Sequence, residues 1–295
     1  MATDSGRSAR PWMDYLTRAG AALLAMGVVA LLALACVRKS GGTLVYALDD
    51  PYIHLAMGRT LAESGVWGLN VNTPGAASSS PLWTVLLAGL TVIFGAHVWL
   101  PLALNIAAAG ALALAAELWL RELSVRPAWR IGTVAAILVI GPVGPLAMTG
   151  MEHVAHAAAV LVLAGLALRS RAAGPPALGV AGALATGFRY ESAFVAAALA
   201  LVLALQRDWR RAVALLLGPA AVVTAVGVAQ LSVGESFLPN SLIVKAVSFS
   251  SAGVGDWARW KAFGAINHAF EAPVVALPLL ALLMAWAGAR QVAAD

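Results

Sequence analysis

Charge is what this sequence has least of: only 11% of its 295 residues are Asp, Glu, Lys or Arg, against about 25% in an ordinary soluble domain. With 61% hydrophobic residues and a mean hydropathy of +0.85, that deficit excludes a soluble globular reading and predicts an all-α, polytopic membrane protein. Cysteine is almost absent. Cys36 stands alone inside the first apolar run, so there is no intrachain disulfide and no paired-cysteine metal site. The sequence also lacks a P-loop, a βαβ dinucleotide fingerprint and a nucleophile elbow. The net charge of +5 comes from Lys and Arg in short clusters between apolar runs. That pattern is an orientation signal, not a phosphate-binding face, so no nucleic-acid partner is expected.

Apolar runs long enough to approach the ~20 residues of a spanning helix lie near 19–37, 98–120, 131–149, 154–169, 175–188, 192–206, 212–233 and 272–289. The expectation is thus about eight spans, with the two runs flanking Arg189 forming a short or broken hairpin. Ala19 to Val37 is followed by Arg38-Lys39 without a small-residue cleavage site, so it reads as an uncleaved first span after a cytoplasmic tail, 1–18. A single membrane domain, 19–289, then carries outer loops at 38–97 and 234–271, and 290–295 forms a second cytoplasmic tail.

The segment Pro81 to Phe94 is apolar as well, and the arginines decide its place. If it does not cross, Arg7, Arg10, Arg18, Arg121, Arg126, Arg130, Arg169, Arg171, Arg207, Arg210, Arg211 and Arg290 lie inside, twelve of the nineteen basic residues. If it crosses, the inner count falls to seven. The positive-inside rule therefore predicts a helix on the outer face, with interfacial helices in the first outer loop. All five histidines (His54, His97, His153, His156, His268) and the acids Asp49, Asp50, Glu63, Glu152, Glu191, Glu235, Asp256 and Glu271 then fall at or near the outer side.

The chemistry-bearing clusters are Asp49-Asp50-Pro51-Tyr52-Ile53-His54, Gly150-Met151-Glu152-His153, Arg189-Tyr190-Glu191 and Leu238-Pro239-Asn240 through Lys245. Adjacent carboxylates beside a span are costly unless something uses them. Asp50 also reads as an N-cap before a first-turn proline, with Ser64-Gly65 as the matching stop; Asp49 is redundant for that purpose. Ile53, Met57 and Leu61 should form the apolar stripe of this helix. Glu152 and His153 suit acid–base work or a divalent ion, and equally a polar helix end, with His153 and His156 one turn apart. Arg189 either pairs with Glu191 or grips a phosphate through its fork of donors. Lys245 reads as a phosphate contact or a snorkelling lysine. Ser78-Ser79-Ser80-Pro81 reads as a linker.

Asp49-Asp50-x-Tyr-Ile after the first span, a helix ending Ala-Glu-Ser-Gly, and Ser-Ser-Ser-Pro-Leu-Trp-Thr together resemble the first extracytoplasmic loop of GT-C-fold glycosyltransferases. The nearest likeness is to the branch with the actinobacterial cell-wall arabinofuranosyltransferases. Gly-Met-Glu-His, Arg-Tyr-Glu and Leu-Pro-Asn-Ser-x-x-x-Lys follow in that branch's order, so the resemblance covers roughly 13–246. It implies an integral protein of the bacterial plasma membrane, with its N-terminus cytoplasmic and its active site extracytoplasmic. It also implies a polyprenyl-phosphate sugar donor, a glycan, lipid or protein acceptor, and usually inversion at the anomeric carbon. Asp50, helped by Asp49, would be the general base and Glu152 the second-loop acid. Arg189, Lys245, His153, Glu191, Asn240, Tyr52 and His54 would meet lipid phosphate or substrate, with a divalent cation as an optional aid. Family members are commonly longer, which implies acceptor recognition that is reduced, supplied by a membrane partner subunit, or absent, and Tyr190 stands where proline is frequent. A transporter or lipid flippase, and a non-catalytic assembly subunit, are the alternatives.

Overall fold

The computed structural model of the chain describes residues 11–75, 78–168 and 173–237, all within a unit spanning Met1–Ser241. Asn240, Lys245, His268 and the expected span 272–289 lie outside the described residues.

The fold is mostly helical. A long α1 (Pro11–Lys39) leads through an extended segment to α2 (Asp50–Ser64). A two-stranded antiparallel ribbon follows, β1 (Gly68–Asn70) against β2 (Thr73–Pro74). Then come α3 (Pro81–Phe94), α4 (Leu100–Glu122), α5 (Pro127–Ile140), α6 (Val143–Met148), α7 (His153–Leu168), α8 (Pro175–Phe188), α9 (Ser192–Leu205) and α10 (Trp209–Ser232). Proline starts much of this punctuation: α2, α3, α4, α5 and α8 each carry one in their first two positions, where its missing N–H costs nothing.

Among the described residues, three helices are long and apolar enough to cross a membrane: Asp14–Lys39, Leu100–Glu122 and Trp209–Ser232. The other expected spans in this region are shorter. The run 131–149 is broken at Gly141-Pro142: Gly141 is extended (ψ 140°), as a residue before proline prefers to be, and α6 restarts beyond it as a six-residue helix. α8 and α9, fourteen residues each, form a helical hairpin whose arms reach about 21 Å at 1.5 Å per residue, short of the ~30 Å hydrocarbon core. α3 has the same length. The two-residue and three-residue strands were not expected from the sequence.

Small residues let the helices close on one another. Ala21, Ala25, Val29, Ala33 and Val37 recur every fourth position along α1, all buried, in one cluster with Ala109, Ala113 and Ala116 of α4. A second cluster joins α7 through α10 around Leu163, Leu178, Leu203 and Leu215.

This packing sorts the polar groups to two ends. At one end, the starts of α1 and α5 meet the close of α4. Arg130 Nη1 donates to Glu117 Oε1 and Nη2 to Asp14 Oδ1, both at 2.7 Å. Arg121 reaches Asp14 at 3.3 Å and Arg18 reaches Glu117 at 3.7 Å. Arg211, at the start of α10, donates to the Leu166 and Ala167 carbonyls at the end of α7. The sequence marks this end mainly by its clustered arginines. Glu117 is 0% exposed and Arg130 3%, a buried ionic clasp that sequence reading missed. The opposite end holds the end of α1, α2, and the starts of α4, α7 and α9.

Candidate functional site

The site is assembled at that opposite end from loops far apart in sequence. Asp49 occupies the N-cap of α2 in helical backbone, with no side-chain capping bond. Asp50 is the first helical residue. The cap assignment thus moves by one: the Asp49 carbonyl takes the first helical bonds, from the Tyr52 and Ile53 N–H groups, and both carboxylates stay exposed. Asp50 is near enough to the His54 and His153 imidazoles to bias their charge.

α2 packs through Pro51, His54, Met57 and Gly58, so His54 replaces the expected Ile53 on the inner stripe. Gly58 lies at the seam between α2 and α3. A β-carbon there would lie 3.0–3.1 Å from Leu87 and Ala88, so a larger residue would require the helices to give by a few tenths of an ångström.

Behind the exposed acids, Glu152 is the centre of a buried network. It is 0% exposed and precedes α7 directly. Arg189 Nη1 donates to its Oε1 at 2.9 Å, while Nη2 donates to Glu191 Oε1 at 3.2 Å. Arg189 Nη1 is also 3.2 Å from His153 Nδ1. Arg189 follows α8 in extended backbone, and the Ser192 N–H returns to its carbonyl, so Arg-Tyr-Glu forms the tight turn between α8 and α9. Of the two expected roles, the pairing with Glu191 is seen, and Arg189 also donates to Glu152, a partner not expected from the sequence. Its side chain keeps 22% exposure.

His54 Nε2 faces Glu152 Oε2 at 3.9 Å, and that oxygen has no hydrogen-bond partner among the described residues. Burial holds the His54 imidazole below its ordinary pKa, against the opposing pull of the Glu152 and Asp50 charges. Its Nδ1 is 3.1 Å from Ser78 Oγ. Ser78 is fixed in turn by the Ser80 N–H and the Thr84 hydroxyl, each at 3.0 Å. The serine run is therefore a buried polar support and not a linker. The serine and threonine spacing around Pro81 was the available signal.

Tyr46 and Asn105, also missed, hold this end together. The Tyr46 hydroxyl donates to the Val98 carbonyl at 2.7 Å and accepts from the Leu102 N–H at 3.1 Å; burial pushes its pKa up. Tyr52, expected to meet substrate, accepts from the Tyr46 N–H through its hydroxyl at 2.9 Å. Asn105 Nδ2 donates to the Met151 carbonyl at 2.9 Å, pinning the loop that carries Glu152. A lone amide in an apolar helix was its only sequence signal. Gly150 turns that loop with φ 72°, and a β-carbon there would fall 2.7 Å from the Tyr46 ring and 2.9 Å from Pro51.

His153 and His156 do not face each other: His153 turns to Arg189 and His156 Nε2 lies 2.6 Å from Ser192 Oγ. Glu63 pairs with Arg59 on the surface. Among the described residues, no group of three His, Cys, Asp or Glu side chains converges as a ligand set for a metal ion, and Arg189 occupies one oxygen of Glu152. No step is therefore routed through a divalent cation. No protein family, curated protein or solved structure matches the chain.

Proposed function

We propose that the protein is an integral membrane glycosyltransferase of the bacterial plasma membrane, with its N-terminus cytoplasmic. It transfers a sugar from a polyprenyl-phosphate donor to a cell-envelope acceptor at the extracytoplasmic face. One observation carries the reading: exposed Asp50 stands beside the ion-pair network that Arg189 and Glu191 form around buried Glu152, although their sequence blocks lie about a hundred residues apart. The charged groups gather at the helix ends, which favours a surface reaction over a transport relay.

The chemistry asks little of such a site. Polyprenyl phosphate is a good leaving group, so the protein must orient an acceptor hydroxyl and take its proton. Asp50 accepts that proton as the hydroxyl oxygen bonds to the anomeric carbon. The bond from that carbon to the phosphate oxygen breaks, and attack from the opposite face inverts the centre. Arg189 has donor capacity beyond its two carboxylate bonds for the phosphate charge that develops. Lys245 is the second phosphate contact in this proposal. Release of free polyprenyl phosphate from a panel of polyprenyl-phosphate sugars, by purified protein in lipid nanodiscs, tests the reading. Absence of release from every donor, with the protein folded, would overturn it.

A further inference from the structure

The polarity of the His54 support chain can be worked out from its bonds. Ser78 Oγ accepts the Ser80 N–H at 3.0 Å. It then makes one bond to Thr84 Oγ1 at 3.0 Å and one to His54 Nδ1 at 3.1 Å, with a single proton of its own to give. In one arrangement Thr84 donates to Ser78 and Ser78 donates to His54, leaving the imidazole proton on Nε2. In the other, His54 donates from Nδ1 to Ser78, Ser78 donates to Thr84, and Thr84 must turn to the Ser80 carbonyl at 3.4 Å.

Two facts decide between them. The second arrangement uses the longest bond in the cluster. It also aims a bare imidazole lone pair at the buried Glu152 Oε2, 3.9 Å away, an oxygen that already lacks a donor among the described residues. A buried anion opposite a lone pair is strongly disfavoured, whereas an N–H dipole opposite it is favourable.

From this we infer that His54 and Glu152 form a hydroxyl-binding clamp, with an Nε2–H donor facing a carboxylate acceptor and Ser78 and Thr84 fixing the direction. The gap is too long for a direct bond. An oxygen about 2.8 Å from each atom would subtend roughly 90° between them, so a single hydroxyl can accept from His54 and donate to Glu152. Buried, unsatisfied carboxylate oxygens call for such a partner. The occupant is water in the resting protein. The clause that it gives way to a sugar hydroxyl when donor binds rests on the glycosyltransferase reading. In that state His54 is a positioning residue for the bound sugar.

The test is ¹⁵N NMR of the histidine-labelled full chain in nanodiscs, with the His54 signals assigned by their loss in His54→Gln. The expected result is a neutral ring protonated at Nε2, with a magnetisation-transfer contact from that proton to water. Ser78→Ala, or Thr84→Val should the first variant not fold, removes the directing bond on the Nδ1 side, and the Glu152 carboxylate facing Nε2 is expected to keep the ring proton there. A wild-type ring protonated at Nδ1, or an Nε2–H with no water contact, overturns the clamp. Adding a polyprenyl-phosphate sugar separates the sources of the hydroxyl. Loss of the water contact assigns the site to the sugar. Its persistence under saturating, turning-over donor overturns the sugar clause, and absence of turnover with any donor defeats the functional reading while the water clamp stands.

Discussion

Replacing Arg189 with Met removes the one hydrogen-bond donor to the Glu152 carboxylate among the described residues and leaves a carboxylate that is 0% exposed. At 2.9 Å and an effective dielectric of about 20, the attraction between the two charges is about 6 kcal/mol before desolvation is counted. Arg189 retains 22% exposure and shares its charge with Glu191, so the full figure is not realised. The relevant quantity is the cost of stranding one partner of a buried pair, about 3–5 kcal/mol. Glu152→Gln alone should cost about 1.5–3 kcal/mol, the worth of a hydrogen bond to a charged group. Arg189→Met/Glu152→Gln should cost clearly less than the sum of the two single changes, because no stranded charge remains. Equilibrium unfolding in mixed micelles, followed by far-UV circular dichroism, supplies the cycle. Additive losses, or a loss under about 1 kcal/mol for Arg189→Met as at an exposed pair, would refute the buried-network reasoning.

Other perturbations probe the remaining parts of the account. Arg130→Met strips Glu117 of its 2.7 Å donor and should destabilise by about 3–5 kcal/mol, with Arg130→Lys intermediate in the same unfolding assay. Gly150→Ala forces a β-carbon into a left-handed turn against Tyr46 and Pro51 and should cost about 2–4 kcal/mol; a neutral result would mean the loop is free to shift. His54 is held below its ordinary value of 6.5, so below pH 6.5 the unfolded chain takes up a proton that the folded one refuses. Stability should therefore fall with pH from 6.5 downward through the folded value, and His54→Gln should flatten that slope in unfolding curves taken across the window.

How much of this was legible in the sequence depended on whether the cause was local. The proline starts of α2, α3 and α8 and the Gly65 stop are local signals, and they fall at or within one residue of where the sequence puts them. The break at Gly141-Pro142 was equally local, but hydropathy averaging over 131–149 concealed it. Asp50, Glu152 and Arg189 stood out because charge is rare here. Their convergence could be expected only from topology, by placing all the outer loops at one end. His54, Ser78, Thr84, Tyr46 and Asn105 were a different case. The roles of His54, Ser78, Tyr46 and Asn105 arise from partners 24 to 56 positions away, while Thr84 matters through nearby Ser78, itself a partner of distant His54. The Glu117–Arg130–Asp14 clasp was hidden for the same reason, since its members belong to three separate helices.

The measurement that tests the central claim most directly compares sugar transfer by wild type, Asp49→Asn and Asp50→Asn in nanodiscs, with folding checked for each. Loss of a general base lowers turnover by about 10²–10⁴-fold, and that loss is expected for Asp50→Asn, with a smaller one for Asp49→Asn. Both variants turning over like wild type would contradict the assignment of the base and, with it, the reading of this end of the protein as an active site.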